Sequence, residues 1–210
     1  MVKLSPSNIV NTVGSTDLEI VKTIEHLLCS LFINKIDNLL IEIDGSEIPI
    51  LDGSIQEFNE KLTNNIMEIN KIATSLSIQN YIKIEDYEVF PAQSLEIYCL
   101  IGNNILYWKE GNPLFPAKTY GYIQDYPILQ QLNLGKGSDP FNTLILSKNK
   151  PINNLFLLNY HKIIDFLGDI YTTNIPYISG IFFLNNPNHT KNNKIAIKIM
   201  EIYERREKVC

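Results

Sequence analysis

Apolar residues recur at the three- to four-residue spacing of an amphipathic helix in several parts of the chain. The first such helix begins near Thr23, the longest covers about 154–172, and the last covers about 191–206. A shorter helix follows Ser54, a residue type that caps helix N-termini. The apolar positions that support the first and the longest helix are Leu27, Leu28, Leu31, Phe32, Leu155, Leu158, Ile163, Phe166, Leu167 and Ile170.

Stretches rich in β-branched and aromatic residues are separated by turn residues and predict strands. The predicted strands cover 18–21, 39–43, 81–84, 87–90, 95–100, 105–108 and 178–184. The region 64–77 has the weakest pattern, so we place a domain boundary there, between residues 1–75 and 76–210. Turn residues are frequent at about 122–153, which predicts an insert in the second domain. Together these elements predict an α+β fold in two parts.

Composition and charge argue against some classes of function. The 210 residues are 45% hydrophobic and 20% charged, which is ordinary for a globular protein. The formal net charge of −5 argues against a nucleic-acid partner, and no apolar run reaches the length of a membrane span. The run Gly135–Ser138 lacks the phosphate-loop pattern and is predicted to be a turn. The widely spaced Cys29, Cys99 and Cys210, with no signal-peptide core at residues 1–6, favour the cytoplasm.

The candidate chemistry lies with the histidines, of which the chain has three. His26 follows Glu25, His161 stands four residues before Asp165, and His189 lies in an Asn-rich run. Two histidines and one aspartate can bind zinc and leave the fourth position open for water. A glutamate beside a ligand can then act as the base, and the remaining histidine as the acid.

The longest helix concentrates these groups on one face. His161, Asp165 and Asp169 are spaced i, i+4 and i+8, so they form one stripe, and Asp169 can accept a hydrogen bond from an imidazole. Simpler alternatives stay open for each residue taken alone. Pairs of this spacing are usually solvated contacts, the Glu–His pair is an ordinary helix start, and Lys162 and His189 would by default be exposed.

Five segments in the correct order resemble one family. They are Thr23–Leu28 (TIEHLL), Ile36–Glu42 (IDNLLIE), Ile48–Ser54 (IPILDGS), Pro116–Tyr122 (PAKTYGY) and His161–Asp169 (HKIIDFLGD). The first three resemble the UDP-3-O-acyl-N-acetylglucosamine deacetylases, the LpxC family. The fourth is similar to the family's A-R-T-F-G-F segment and the fifth to its H-K-x-x-D-x-x-G-D helix. The resemblance covers about residues 8 to 205.

The resemblance implies a zinc-dependent hydrolase that removes the N-acetyl group of a UDP-linked, 3-O-acylated N-acetylglucosamine, releases acetate and serves lipid A biosynthesis. It implies that His26, His161 and Asp165 hold Zn²⁺, with Glu25 as general base. It further implies that His189, supported by Asp169, stabilises charge or protonates the leaving amine, and that Thr119 donates to the oxyanion. Lys162 would bind the diphosphate, Tyr120 would pack on the sugar or acyl chain, and the insert would form the acyl-chain passage.

The implied fold is a two-domain sandwich of small sheets packed on helices, and this chain departs from it in places. Strands that the family has before the equivalent of residues 9–12 have no counterpart here, so the first domain is incomplete and should expose a sheet edge or an apolar helix face. The 87–108 strand pair is abbreviated and lacks the family's Phe-Pro-His-Pro-like loop. Asn186 and Asn188 replace a lysine and a glycine, and Lys118 replaces an arginine, which removes its fork of donors.

Two functional hypotheses follow, with a third beside them. The first is an active, shortened zinc deacetylase, and the second is a non-catalytic or partner-dependent relic or fragment of the same fold. The complete set of site residues favours the first, and the absent strands favour the second. A zinc deacetylase that acts on a related sugar is the third. The sequence does not decide between zinc and iron, or the oligomeric state.

Overall fold

The computed structural model of the chain describes residues 2–64, 66–69, 71–131, 137–150 and 154–208. Its α-helices are α1 (Glu25–Ile33), α2 (Gln56–Thr63), α3 (Tyr126–Gln131), α4 (Leu155–Ile170) and α5 (His189–Glu207). Short 3-10 helices cover Pro6–Asn8, Ile123–Asp125 and Tyr171–Thr173. The predicted first, longest and last helices are thus confirmed, although the last begins at His189. None of the helices described is long and apolar enough to cross a membrane.

The strands form small sheets. They are β1 (Ile9–Asn11), β2 (Asp17–Leu18), β3 (Ser75–Ser77), β4 (Ile82–Ile84), β5 (Tyr87–Phe90), β6 (Leu95–Ile101), β7 (Asn104–Lys109), β8 (Thr119–Tyr122), β9 (Thr143–Leu146) and β10 (Tyr177–Asn185). β1 pairs with β2 and β8 with β9, while a six-stranded sheet has the order β4-β5-β10-β6-β7, with β3 beside β10. This mixed α+β architecture of small sheets and helices agrees with the predicted fold class.

The six-stranded sheet supports the helix that carries most of the predicted site. β10 lies between β5, to which it is antiparallel, and β6, to which it is parallel. Alternate residues of β5, β6 and β10 are buried, as expected for a sheet with one face on the core. Phe166 of α4 packs on Phe182 of β10 with ring centroids 5.3 Å apart. Asn159 of α4 donates to the Cys99 carbonyl at 2.8 Å, which fixes the helix on the sheet.

The predicted strand 39–43 is wrong for this structure, because the segment has no strand conformation. Its composition favours a strand, but a strand needs a partner for its backbone groups, and no backbone hydrogen bond links 39–43 to another described strand. Leu39, Leu40 and Ile41 are 52%, 65% and 44% exposed. Apolar side chains are therefore exposed in the first part of the chain at a segment that is neither a sheet edge nor a helix face.

One other N-terminal prediction is adjusted, and another is confirmed. The strand predicted at 18–21 is reduced to β2, because the chain turns back so that the Leu18 and Val21 backbones bond each other. The helix predicted after Ser54 is α2, and the Ser54 hydroxyl accepts from the Gln56 N–H at 3.0 Å. Gly135 and Lys136 of the predicted turn, and Cys210, lie outside the described residues.

The segment at 119–146 begins at the predicted site. β8 and β9 run parallel to each other, and α3 lies between them in sequence. Gly53 has φ +80°, and a Cβ there would lie 1.7 Å from the Asn142 carbonyl oxygen, so only glycine permits this approach. The Gly53 carbonyl in turn accepts from the Thr119 N–H at 2.8 Å, which fixes the start of β8.

Candidate functional site

Helices α1 and α4 touch at a glycine, and this contact assembles the site. A Cβ on Gly168 would lie 2.0 Å from the Glu25 carbonyl oxygen and 3.0 Å from the Glu25 Cα. The missing side chain therefore lets the start of α1 lie directly on α4. As a result, the residues Glu25 and His26 at the first turn of α1 come beside His161 and Asp165 of α4.

His26, His161 and Asp165, here named the His–His–Asp group, bring their side chains together. One ligand atom from each lies within 4.8 Å of the others, and all three residues are buried. His26 Nε2 lies 3.6 Å from Asp165 Oδ1, and His161 Nε2 lies 3.2 Å from Asp165 Oδ2. Asp165 Oδ1 is buried and makes no hydrogen bond. Two imidazole nitrogens beside a carboxylate that has one unpartnered oxygen are a donor set that fits a metal ion.

The protonation states of the group favour metal binding, which requires neutral imidazole and ionised carboxylate. Burial lowers the pKa of His161 to about 4, so its imidazole is neutral near pH 7. Burial by itself would raise the pKa of Asp165. Interactions with His161 and Lys162 outweigh this effect and hold the pKa of Asp165 well below its usual value.

Glu25 is buried beside the His–His–Asp group and differs from Asp165 in its charge state. Burial raises the pKa of Glu25 to about 7, and the charge of His189 opposes the rise. The Thr16 backbone N–H donates a hydrogen bond to Glu25 Oε2 at 3.1 Å. A carboxylate with a pKa near the working pH is suited to accept a proton and release it again.

His189 and Asp169, which are 20 residues apart in the sequence, form a buried pair next to the His–His–Asp group. His189 Nδ1 lies 2.8 Å from Asp169 Oδ2, and His189 Nε2 lies 3.8 Å from Asp165 Oδ2. Burial would lower the pKa of His189, but the charge of Asp169 raises it to about 10. The imidazole is therefore a cation near pH 7, and its Nε2 faces the His–His–Asp group. The default alternative of an exposed loop histidine is wrong, since His189 is buried and begins α5.

Three further predicted residues lie around this centre. Thr119 lines a cavity together with Glu25 and His26, and the cavity offers about 20 Å³ for water, which is room for roughly one molecule. The Tyr120 ring meets the His161 ring edge-on with centroids 5.2 Å apart. Lys162 is 8% exposed, so it is not the solvated lysine of the default alternative, and its Nζ donates to Asp165 Oδ2 at 2.8 Å. The structure thus brings together all nine residues predicted for the site.

The sequence analysis missed three polar residues that support the site, Thr16, Tyr87 and Asn192. Thr16 Oγ1 donates to Asp169 Oδ1 at 2.5 Å. Tyr87 donates to Asn192, which donates in turn to Asp169 Oδ2, each at 2.8 Å. Thr16 lies in an irregular segment and Tyr87 in a strand, so neither spacing nor residue type distinguished them. The tyrosine in the strand would have been assigned to the core in any case.

Comparisons with known proteins agree with this geometry. The family model described as UDP-3-O-acyl N-acetylglycosamine deacetylase (LpxC) matches residues 1–201. A UDP-3-O-acyl-N-acetylglucosamine deacetylase of Aquifex aeolicus is 32% identical over 210 residues, which span 90% of this chain and 74% of the relative. Proteins with that name from a Nitratiruptor species and from Francisella tularensis are 27% and 28% identical, over 95% and 92% of this chain and 76% and 78% of their own lengths. The chain therefore belongs to the UDP-3-O-acyl-N-acetylglucosamine deacetylase family.

Proposed function

We propose that this protein hydrolyses the N-acetyl group of a UDP-linked, 3-O-acylated N-acetylglucosamine and releases acetate, as a step of lipid A biosynthesis. One observation carries the proposal. A buried carboxylate with a pKa of about 7 and a buried imidazole with a pKa of about 10 flank one His–His–Asp group. Amide hydrolysis needs a group that takes a proton from water and a group that gives a proton to the leaving nitrogen. Near pH 7 protonated His189 can give a proton, and Glu25, whose pKa is close to that pH, can take one up and release it.

We propose Zn²⁺ as the cofactor, held by His26, His161 and Asp165. The two imidazoles and one carboxylate match the ligands of catalytic zinc sites, which keep a further position open. A bound Zn²⁺ supplies Lewis acidity that polarises an amide carbonyl and lowers the pKa of water. The unpartnered Asp165 Oδ1 supports the assignment, because a buried carboxylate oxygen without a donor is otherwise costly.

The protein's own residues perform the proton transfers. Glu25 accepts a proton from the water that attacks the acetyl carbonyl. His189, whose Nδ1 is held by Asp169, delivers a proton from Nε2 to the departing amine. Thr119 would donate its hydroxyl to the oxygen that develops negative charge. Its position in the cavity beside Glu25 and His26 supports that role.

Lys162 and Tyr120 are proposed to bind substrate. An ammonium group has three donors, and Lys162 Nζ uses one on Asp165, so others can meet a diphosphate oxygen. The Tyr120 ring contacts both this ammonium group, 5.0 Å from the ring centroid, and the His161 ring. An aromatic face in this place can pack on the sugar or on the start of the acyl chain.

We propose the cytoplasm as the compartment, since Cys29 and Cys99 are buried free thiols.

The test is acetate release from UDP-3-O-acyl-N-acetylglucosamine by zinc-loaded protein, with a chelator as control. Glu25→Gln is the matched variant, because it keeps the shape of the side chain and the His–His–Asp group but removes the base. We expect it to bind one zinc per chain and to lose turnover by about 10²- to 10⁴-fold. Turnover equal to that of the unchanged protein would exclude Glu25 as the base. Chelator-resistant release would exclude the metal.

A partner-dependent relic is the second candidate, and the exposed Leu39, Leu40 and Ile41 favour it. Apolar side chains exposed side by side often mark a surface that another chain covers. Folded protein that holds zinc but releases no acetate would support this candidate, or a related sugar as the substrate. Activity that appears only at high protein concentration would indicate that a second chain completes the first part of the fold.

A further inference from the structure

Thr16 connects the two proton-transfer groups of the site. It is 1% exposed and lies just before β2, far in sequence from α4 and α5. Its backbone N–H donates to Glu25 Oε2 at 3.1 Å, and its hydroxyl donates to Asp169 Oδ1 at 2.5 Å. The same hydroxyl oxygen lies 3.1 Å from His189 Nδ1. One residue thus contacts the base and both members of the Asp169–His189 pair.

Several hydrogen bonds hold the backbone at and around Thr16 and so fix where its side chain begins. The Thr16 carbonyl accepts from the Ile24 N–H at 3.1 Å, next to the start of α1. The neighbouring Asp17 carboxylate accepts from the Ser15 hydroxyl at 2.8 Å and from the Asn11 side chain at 2.9 Å. Because these bonds hold the backbone in place, the Thr16 hydroxyl has a fixed position beside Asp169.

Donor and acceptor roles follow from the chemistry of the groups. An ionised carboxylate only accepts, so the Thr16 hydroxyl donates its proton to Asp169 Oδ1. Asp169 Oδ2 accepts from His189 Nδ1 and from Asn192 Nδ2, each at 2.8 Å. With both oxygens occupied, the carboxylate plane cannot rotate. That fixes the proton on His189 Nδ1 and directs Nε2 toward Asp165.

We propose that Thr16 is a positioning residue that sets the orientation of the Asp169–His189 pair relative to Glu25 through its hydroxyl and backbone N–H. The inference rests on the proposed deacetylase function for its kinetic consequence. It predicts that the hydroxyl acts on the chemical step and leaves both the zinc ligands and substrate affinity unaffected.

Thr16→Val and Thr16→Ser form the matched pair for the test. Valine keeps the shape and the backbone N–H but removes the hydroxyl, whereas serine restores it. On the zinc-loaded protein we expect Thr16→Val to lower kcat by about 10- to 100-fold, with KM and zinc content unchanged. Thr16→Ser should recover most of the turnover. If the valine variant does not fold, Thr16→Ala supplies a smaller side chain without a hydroxyl.

A second readout does not depend on turnover. The chain has three histidines, so spectra of ¹⁵N-histidine-labelled, zinc-loaded protein contain three ring systems, and His189→Gln assigns the one of interest. The Nδ1 proton signal of His189 should move in the hydroxyl-free variant and stay in Thr16→Ser. Unchanged kcat or an unchanged His189 signal in the hydroxyl-free variant would overturn the inference. If the unchanged protein releases no acetate, the proposed function fails, and the His189 signal alone decides the role of Thr16.

Discussion

A methyl group added at Gly168 should damage catalysis far more than the fold. The new Cβ would lie 2.0 Å from the Glu25 carbonyl oxygen, whereas uncrowded contacts lie at about 3.5 Å. The start of α1 would then have to move away from α4 by roughly 1 Å or more. A misplacement of about 1 Å can lower turnover by roughly 10²-fold. Gly168→Ala should therefore reduce kcat by about that factor.

Helix propensity and crowding change the stability of Gly168→Ala in opposite directions, so the direction of the Tm change distinguishes them. Alanine is a better residue than glycine in a helix interior by about 0.5–1 kcal/mol, so helix propensity alone predicts a higher Tm. Crowding in a packed core costs about 1–3 kcal/mol. We expect crowding to prevail at this backbone contact, with a net loss of about 1–2 kcal/mol and a Tm lower by about 2–8 °C.

The assay combines acetate release, zinc stoichiometry and thermal unfolding of the same preparations. Gly121→Ala is the matched control, because a Cβ there meets nothing within 4 Å. It should change the free energy of unfolding by no more than about 0.5 kcal/mol, as surface substitutions usually do. A raised Tm with unchanged turnover in Gly168→Ala would refute the claim that this glycine is what places Glu25.

The other predictions concern the metal, the protons and the exposed segment. His161→Ala should lose the metal, and a variant that keeps one zinc per chain by elemental analysis would contradict that ligand assignment. The rate should rise with pH as Glu25 ionises (pKa about 7) and fall as His189 deprotonates (pKa about 10); a bound cation lowers both limbs but keeps their order. Asp169→Asn removes the charge that raises the pKa of His189, so the basic limb should move to lower pH, and an unmoved limb in the pH–rate profile would disprove the coupling. Leu40→Ser, at a side chain that is 65% exposed, should change stability by no more than about 0.5 kcal/mol; a large drop in Tm would show that the segment is covered in solution.

Local patterns in the sequence predicted most of the secondary structure and pointed to the candidate site residues. Helical spacing of apolar residues predicted α1, α4 and α5, and β-branched and aromatic stretches bounded by turn residues predicted β4 to β7 and β10. The spacing of His161, Asp165 and Asp169 was sufficient to put them on one helix face. Family motifs supplied Thr119 and Tyr120, whose roles remain predictions.

Only the tertiary structure decided what depends on partners distant in the chain. The segment 39–43 has the composition of a strand, yet pairing requires a neighbour that no local pattern can provide. Lys162 looked like a solvated residue and is buried, with its Nζ 5.0 Å from the centroid of the Tyr120 ring. Thr16 contacts Asp169 across 153 positions of sequence. The close approach of α1 to α4 at Gly168 is likewise a property of packing in three dimensions rather than of sequence spacing.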